Sequence, residues 1–231
     1  AATAGGSVDL DAGRTYGILD GYVAITNGVR RVAGNGATIK LLDASTATSG
    51  VRLAGIAVGG EAANVQNCDI DDLTVDLNGK FGIGIHGDGC SYVTLRNPRV
   101  INVQDAISVK GIFFHSSATS TEDAVENKII NPIVEMNGVA ASSVGIALTS
   151  DLDLDGHADG TDYWKTHFVA ADGYYHNVRT LVTGGTITGG YYGVSLSSAQ
   201  NCTITGLTTT GNVRNVSVQN NSNGNIIAVN T

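Results

Sequence analysis

A short motif recurs along the chain and restricts its fold more than any other feature. It consists of a small residue followed by an apolar, a variable and an apolar residue, and subtracting its start positions gives separations of 32, 24, 39, 48 and 22 residues. The copies are Gly50-Val51-Arg52-Leu53, Gly82-Ile83-Gly84-Ile85, Ala106-Ile107-Ser108-Val109, Gly145-Ile146-Ala147-Leu148, Gly193-Val194-Ser195-Leu196 and Asn215-Val216-Ser217-Val218. The shorter separations match one turn of a three-sided β-solenoid, and the longer ones indicate a turn with an inserted loop. The repeat predicts an all-β fold, a right-handed parallel β-helix that forms one domain over residues 1–231.

An asparagine precedes a predicted strand at three places, Asn67, Asn127 and Asn201. Amide side chains at equivalent positions of successive turns can hydrogen-bond to each other, so this pattern predicts an inner amide ladder. Alternation within each strand directs every second side chain, mostly Val, Ile or Leu, into the core. An antiparallel sandwich is the alternative fold, and it is disfavoured because Asn-Gly and Asp-Gly turns do not recur at hairpin spacing.

Composition agrees with many short strands joined by tight turns, because the chain has 31 glycines and only 2 prolines. A net charge of −8 with 13 scattered basic residues argues against nucleic-acid binding. The sequence has no apolar run of membrane-spanning length, so no membrane insertion is predicted. Cys68, Cys90 and Cys202 are odd in number and widely spaced, which predicts buried thiols without a disulfide.

The first forty residues resemble a known family. Gly5-Gly6-Ser7-Val8-Asp9-Leu10 and the following Asp11-Ala12-Gly13-Arg14-Thr15-Tyr16 are similar to the opening of pectate-lyase-like β-helices, including bacteriophage tailspikes, and residues 32–39 resemble that family's next turn. Asp11 departs from the family, which usually has proline there. The segment that normally precedes this opening is missing, so we expect the chain to be a fragment of a longer protein. The resemblance implies a β-helix, but it specifies activity poorly.

Two insertions are predicted, at about residues 111–126 and 150–173, and both follow the same strand of their turns. The residue that ends this strand faces outward and forms a predicted column of Ala54, His86, Lys110, Thr149 and Ser197. His86 and Lys110 are then neighbours, about 4.8 Å apart. Adjacent cationic groups disfavour each other's protonation, which suits proton abstraction. Asp105 is expected to hold Lys110 charged instead if it pairs with it, and a merely solvated polar column is the other interpretation.

The second insertion contains carboxylates at the spacing of a calcium-binding loop. They occupy loop positions 1, 3, 5, 9 and 12 with glycine at position 6, as Asp151, Asp153, Asp155, Asp159 and Asp162. Calcium is therefore the candidate cofactor. In the alternative, Leu152 and Leu154 face the core and the carboxylates lie on an exposed strand edge.

An aromatic cluster follows the acidic loop and includes the single tryptophan of the chain. Aromatic faces stack on sugar rings, so these residues are candidates for polysaccharide binding, and packing of the insertion against the helix wall is the alternative. The cluster comprises Tyr163, Trp164, His167, Tyr174 and Tyr175.

Two chemistries remain open for a polysaccharide substrate. Hydrolysis needs two carboxyl groups, with Asp105, Glu122, Asp123, Glu126 and Glu135 as candidates. Elimination needs a base such as His86 or Lys110 and a cation on the uronate carboxylate. The calcium candidate and the His/Lys pair favour a lyase.

The leading functional hypothesis follows from the tailspike resemblance. It is a homotrimeric, extracellular virion protein that binds and cleaves a bacterial surface polysaccharide, such as O-antigen, capsule or exopolysaccharide. A noncatalytic glycan-binding adhesin or structural β-helix is the second hypothesis. A secreted pectate-lyase-like enzyme or uronan epimerase is the third.

Overall fold

The computed structural model describes residues 5–19, 23–26, 28–42, 54–59, 65–107, 109–116, 123–149, 176–219 and 222–231, with the backbone alone for 54–59 and 88. This part of the chain is all-β, and its 24 strands are short. Within the same residues no helix has the length and apolar character needed to cross a membrane.

The strands follow one another at short intervals, and we number them in chain order. The first twelve are β1 (Gly6–Asp9), β2 (Thr15–Ile18), β3 (Val23–Ile25), β4 (Val29–Ala33), β5 (Thr38–Leu41), β6 (Ala54–Gly59), β7 (Asp69–Asp71), β8 (Thr74–Asp76), β9 (Ile83–Asp88), β10 (Thr94–Arg96), β11 (Arg99–Val103) and β12 (Lys110–His115). The second twelve are β13 (Ala124–Val125), β14 (Lys128–Ile130), β15 (Ile133–Met136), β16 (Val144–Thr149), β17 (Asn177–Val178), β18 (Leu181–Thr183), β19 (Thr186–Thr188), β20 (Tyr192–Ser197), β21 (Ala199–Gln200), β22 (Thr203–Thr210), β23 (Arg214–Gln219) and β24 (Ile226–Asn230).

Each strand pairs with a strand from the next passage of the chain, and the pairs join into three sheets. The 14-stranded first sheet runs from β1 through β4, β7, β10, β14 and β18 to β22, and returns through β19, β15, β11, β8 and β5 to β2. Its fourteenth strand, β24, also pairs with β22. The 7-stranded second sheet has the order β23-β20-β16-β12-β9-β6-β3, and β13, β17 and β21 form the third. All strand pairs in these sheets are parallel, which rules out the antiparallel sandwich for this part of the chain. The architecture is consistent with a β-solenoid.

The core is a set of apolar columns along the stack. On one side of the first sheet, each turn contributes one inward-facing residue that lies against its counterpart in the next turn. From the second turn to the seventh these residues are buried, because each has a neighbouring turn on both sides. Their column is Val8, Val32, Ile70, Leu95, Ile129, Val182, Ile204 and Ile227. Alternation therefore builds the core as the sequence predicts.

A glycine column fixes the register of the second sheet. A Cβ atom on Gly84 would lie 2.6 Å from the carbonyl oxygen of Gly111, and one on Gly111 would lie 2.6 Å from that of Gly145. The same approach, 2.7 Å, joins Gly145 to Gly193 and Gly193 to Asn215. Real Cβ atoms do not come this close to an oxygen, so only glycine fits between the turns.

The glycine column confirms three copies of the motif and corrects two. The copies beginning at Gly145, Gly193 and Asn215 lie in register. The alignments that start at Gly82 and Ala106 are wrong, because Ile85 pairs with Ile112 and Ile112 pairs with Ile146. The copy at residues 50–53 lies outside the described residues.

The bounds predicted for the first insertion, about residues 111–126, are also wrong. Residues 111–115 belong to β12, and β13 already begins at Ala124. The second insertion, residues 150–173, lies outside the described part of the chain.

Asparagine stabilises the turns, although not as the predicted inner ladder. Asn67 and Asn201 adopt positive φ, 57° and 54°, at the corner before their strands. Asn127 is buried and bridges two turns, because its amide donates to the carbonyl of Cys90 and its oxygen accepts from the amide of Val93. The predicted ladder of Asn67, Asn127 and Asn201 is therefore wrong.

A rung-to-rung ladder does occur at the next corner, on the surface. The Asn97 amide donates to the Asp72 carboxylate at 2.7 Å, and the Asn131 amide donates to Asn97 at 3.3 Å. All three residues have φ near 50°. Left-handed backbone favours Asn and Asp, so one residue type supplies both the turn and the ladder.

The three cysteines are buried, and none of them forms a disulfide. Burial raises the pKa of the Cys68 and Cys202 thiols to about 11. These thiols are therefore packing groups, as the sequence predicts.

Asp76 holds the corner between the first and second sheets on neighbouring turns. Its carboxylate accepts from the Asn102 side chain at 2.9 Å and the Asn78 backbone at 2.8 Å, and it lies 3.2 Å from the Lys40 ammonium. Burial by itself raises the pKa of Asp76, but these three donors outweigh it and hold the pKa below the usual 3.8.

Replacing Asp76 by Asn should therefore cost more stability near neutral pH than in acid. Because the pKa is lower in the folded state, the stabilisation is complete above about pH 4 and is lost as the pH falls through the folded pKa. Urea denaturation of wild type and Asp76→Asn at about pH 6 and about pH 3 measures the difference. Asp9→Asn, at an exposed position, is the control. A difference that does not shrink in acid contradicts this account.

Gly111→Ala should destabilise the fold by about 3 kcal/mol, because the new methyl meets the Val134 side chain and the Gly145 carbonyl. Gly36→Ala is the matched control, since its Cβ meets open space and only its positive φ is strained, at a cost of about 1 kcal/mol. Denaturant unfolding gives both values. Equal losses for the two variants would show that the glycine column does not fix the register.

Candidate functional site

The outward face of the second sheet carries a group of titratable side chains that pack around an aromatic ring. Lys110, Phe113 and His115 lie on β12, and His86 lies on the neighbouring strand β9. Lys110 and Phe113 both face outward although they are three residues apart, while Ile112 and Phe114 enter the core. We call His86, Lys110, Phe113 and His115 the histidine cluster.

Three rings of the histidine cluster are stacked on one another. His86 is 5.2 Å from Phe113 and 4.8 Å from His115 between ring centroids, and Phe113 is 4.8 Å from His115. The rings are within 12° of parallel. Stacking of this kind fixes the orientation of the rings.

The two imidazoles are joined by a hydrogen bond. His86 Nε2 lies 2.7 Å from His115 Nε2, and His115 Nδ1 lies 2.9 Å from the backbone oxygen of Ser116. A carbonyl oxygen can only accept, so His115 carries a proton on Nδ1 and, when neutral, accepts at Nε2. His86 then donates from Nε2, and its Nδ1 is the basic nitrogen of the neutral ring. The pair holds at most one positive charge without placing two N–H groups against each other.

Lys110 adds a buried amino group to the cluster. Its side chain is fully buried and its Nζ lies 4.6 Å from the centre of the Phe113 ring. Ile83, Val144 and Ala147 pack around Phe113 on the same face. A buried ammonium over an aromatic face is held electrostatically by the ring.

The predicted contact between His86 and Lys110 in one column is wrong. Lys110 pairs with Ile83, and His86 pairs with Phe113. The predicted pairing of Thr149 with Ser197 is confirmed, and His115 continues that column. The two predicted residues nevertheless share Phe113 as a neighbour, which keeps them in one cluster.

The candidate carboxylates are engaged elsewhere. Asp105 accepts a hydrogen bond from the Ala140 backbone at 2.8 Å, and Glu135 forms an exposed ion pair with Arg99 at 2.8 Å on the first sheet. Asp123 accepts from the His176 backbone, and Glu126 pairs with Arg179. Glu122 lies outside the described residues. In these contacts, neither Asp105 nor Glu135 is bonded to a residue of the histidine cluster.

The other predicted binding groups fall outside the described residues. These are the aromatic candidates Tyr163, Trp164, His167, Tyr174 and Tyr175, and the calcium candidates Asp151, Asp153, Asp155, Asp159 and Asp162. Within the residues that the structure does describe, no group of three or more His, Cys, Asp or Glu side chains is placed to hold a metal ion.

Sequence reasoning missed His115 and Phe113. Both were assigned to a loop because the motif was aligned at Ala106, whereas Gly111 is the residue that continues the glycine column. Aligning Gly84, Gly111 and Gly145 would have placed His115 two residues beyond the position of His86 on the same face. The spacing of these glycines carries the correct register, but the motif copy at Ala106 gives a shorter spacing and was aligned instead.

No family model, curated protein or solved structure matches the chain. The histidine cluster therefore has to be interpreted from its own geometry.

Nitrogen-15 NMR of the histidine side chains should find His115 as the Nδ1–H tautomer and His86 as the Nε2–H tautomer at neutral pH. The hydrogen bonds to Ser116 and between the rings require this assignment. His115→Gln removes the ring partner and provides the control for assigning His86. Finding His115 protonated on Nε2 alone would contradict the proposed direction of the hydrogen bond.

Proposed function

We propose that this protein is a right-handed parallel β-helix that binds a bacterial surface polysaccharide beside His86 of its second sheet and cleaves it by β-elimination. The observation that carries the proposal is the 2.7 Å contact between His86 Nε2 and His115 Nε2. It supplies a base whose orientation is fixed and whose charge is shared once it takes a proton.

His86 is the proposed catalytic base, because it is the partly exposed member of the histidine pair while His115 is 5% exposed. Its Nδ1 takes the proton from C5 of a uronate residue. The electrons of the C5–H bond form the C4=C5 double bond, the bond from C4 to the glycosidic oxygen breaks, and that oxygen takes a proton from water. His115 acts as a positioning residue that accepts from His86 Nε2 and stabilises the resulting imidazolium.

Lys110 has an electrostatic role in this proposal. It is fully buried against Phe113, so it is a poorer base than the partly exposed His86. A fixed positive charge close to the imidazoles stabilises the negative charge that develops on the substrate. Calcium at the acidic loop Asp151–Asp162 belongs to the same proposal, as the cation that neutralises the uronate carboxylate.

Elimination is favoured over hydrolysis by the contacts of the carboxylates. Asp105, Asp123, Glu126 and Glu135 each have a backbone or arginine partner. Retaining or inverting hydrolysis needs two carboxyl groups on either side of one bond. The described residues offer a histidine base more readily than such a pair.

Self-association as a homotrimer and an extracellular location on a virion tail are part of the proposal and derive from the tailspike resemblance. Exposed apolar side chains in the segments that lead into the second sheet support self-association, because their solvent exposure is unfavourable. They are Leu19, Leu42, Ile107, Val139 and Val213.

A noncatalytic glycan-binding protein is the second candidate. The burial of Lys110 and His115 favours it, since packed side chains of this kind are typical of a structural cluster. In that case the histidine cluster would stabilise the sheet and the glycan would bind without being altered.

A panel of bacterial capsular, O-antigen and uronate polysaccharides tests the proposal, with ultraviolet absorbance of the C4=C5 bond and reducing ends recorded together. Wild type should produce both signals, and His86→Gln should lower the rate by about 100-fold or more while the fold is retained. Thr188→Ala, on the first sheet, is the control and should keep full activity. Chelator should reduce the rate if calcium takes part.

The other outcomes separate the candidates. New reducing ends without absorbance would show hydrolysis and contradict elimination. Glycan binding with neither signal, unchanged in His86→Gln, would support the noncatalytic candidate.

A further inference from the structure

Arg214 differs from the other arginines in the described part of the chain, because its side chain alone makes no ion pair or hydrogen bond. The chain is acidic, with a net charge of −8, so carboxylate partners are plentiful. Each of the other six described arginines has a partner. They are Arg14 with Asp11, Arg30 with the Gln66 carbonyl, Arg31 with Asp71, Arg96 with Asp71, Arg99 with Glu135 and Arg179 with Glu126. A guanidinium without a partner on an acidic protein is available to an external anion.

Two tyrosines lie beside Arg214. Tyr192 is its register partner on the neighbouring strand β20, and the ring of Tyr191 meets that of Tyr192 edge to face at 4.8 Å between centroids. Both rings are half-buried, so each keeps an accessible part. A fixed aromatic surface beside a guanidinium suits a pyranose ring that carries a carboxylate, since the ring stacks and the carboxylate accepts two parallel hydrogen bonds.

Tyr192 and Arg214 lie in the same register row as Lys110 of the histidine cluster. Register connects Lys110 to Val144, Val144 to Tyr192 and Tyr192 to Arg214 across β12, β16, β20 and β23. Adjacent parallel strands are about 4.8 Å apart, so Arg214 is about 14 Å from Lys110 along the stack. A linear polymer that contacts both the half-buried His86 and the exposed Arg214 would extend over more than one sugar unit between them.

We propose that Tyr191, Tyr192 and Arg214 form a distal subsite for a carboxylate-bearing sugar of a linear anionic polysaccharide. The placement of this subsite relative to a cleavage site rests on the proposed function, whereas its affinity for uronate polymers does not. Arg214 binds the carboxylate, and the tyrosines set the orientation of the ring. The subsite acts in binding alone and takes no part in bond breaking.

Binding of alginate, polygalacturonate and hyaluronan to the intact chain tests the subsite, with dextran as the neutral polymer. Arg214→Gln should weaken binding of the uronate polymer that wild type binds by about tenfold, the loss expected for one charge-assisted contact. Arg214→Lys should restore part of it. Lys128→Gln removes the same charge from an exposed position on the first sheet and should leave binding within about twofold.

Length dependence provides the second measurement. A uronate oligosaccharide too short to reach from His86 on β9 to Arg214 on β23, about 19 Å along the stack, should be turned over equally by wild type and Arg214→Gln. On long polymers the variant should show a raised KM with an unchanged kcat.

The outcomes distinguish this inference from the proposed function. Uronate binding that is lost in Arg214→Gln but accompanied by no cleavage would uphold the subsite and reject the lyase. Equal binding by wild type, Arg214→Gln and Lys128→Gln would overturn the subsite, as would wild type that binds none of the three uronate polymers. An equal loss for dextran would also overturn it, because the carboxylate would then be irrelevant.

Discussion

The close approach of backbones at Gly84, Gly111, Gly145 and Gly193 determines where the side chains of β9, β12, β16 and β20 lie. A Cβ at these positions would meet the next carbonyl oxygen at 2.6–2.7 Å, so the strands can align in one register only. Because the side-chain period of a strand is two, a slip of one residue would exchange core and surface. The same register that buries Ile112 and Phe114 presents Lys110, Phe113 and His115 outward, so core packing and the histidine cluster have a common origin.

The fold class could be predicted from the sequence because it depends on periodic features. Alternating apolar residues, frequent glycine and the spacing of Gly145, Gly193 and Asn215 require only that equivalent residues recur, and the parallel pairing follows. The register of β12 could not be predicted from the apolar motif, since Ala106-Ile107-Ser108-Val109 fits the pattern as well as Gly111-Ile112-Phe113-Phe114. Steric exclusion of Cβ at Gly111 decides between the two, and that exclusion depends on contacts from a neighbouring turn.

The candidate site was predicted in part for the same reason. His86 and Lys110 were identified as residue types, but their partners Phe113 and His115 follow from the corrected register. Asparagine gave a similar result. The predicted ladder of Asn67, Asn127 and Asn201 is wrong, whereas amide side chains do connect successive turns at Asp72, Asn97 and Asn131, where positive φ places the side chains in line. Apolar patterning carries no information about which corner adopts that conformation.

Methyl NOE spectroscopy on a sample labelled at isoleucine and valine tests the register most directly. The account predicts contacts from the Ile112 δ1 methyl to those of both Ile85 and Ile146, since the three residues are paired across adjacent strands about 4.8 Å apart. It also predicts no contact between Val109 and Ile85 of the kind that the motif alignment requires. Strong NOEs between Val109 and Ile85, with none from Ile112 to Ile85, would contradict the register. The residues of the histidine cluster would then not be neighbours.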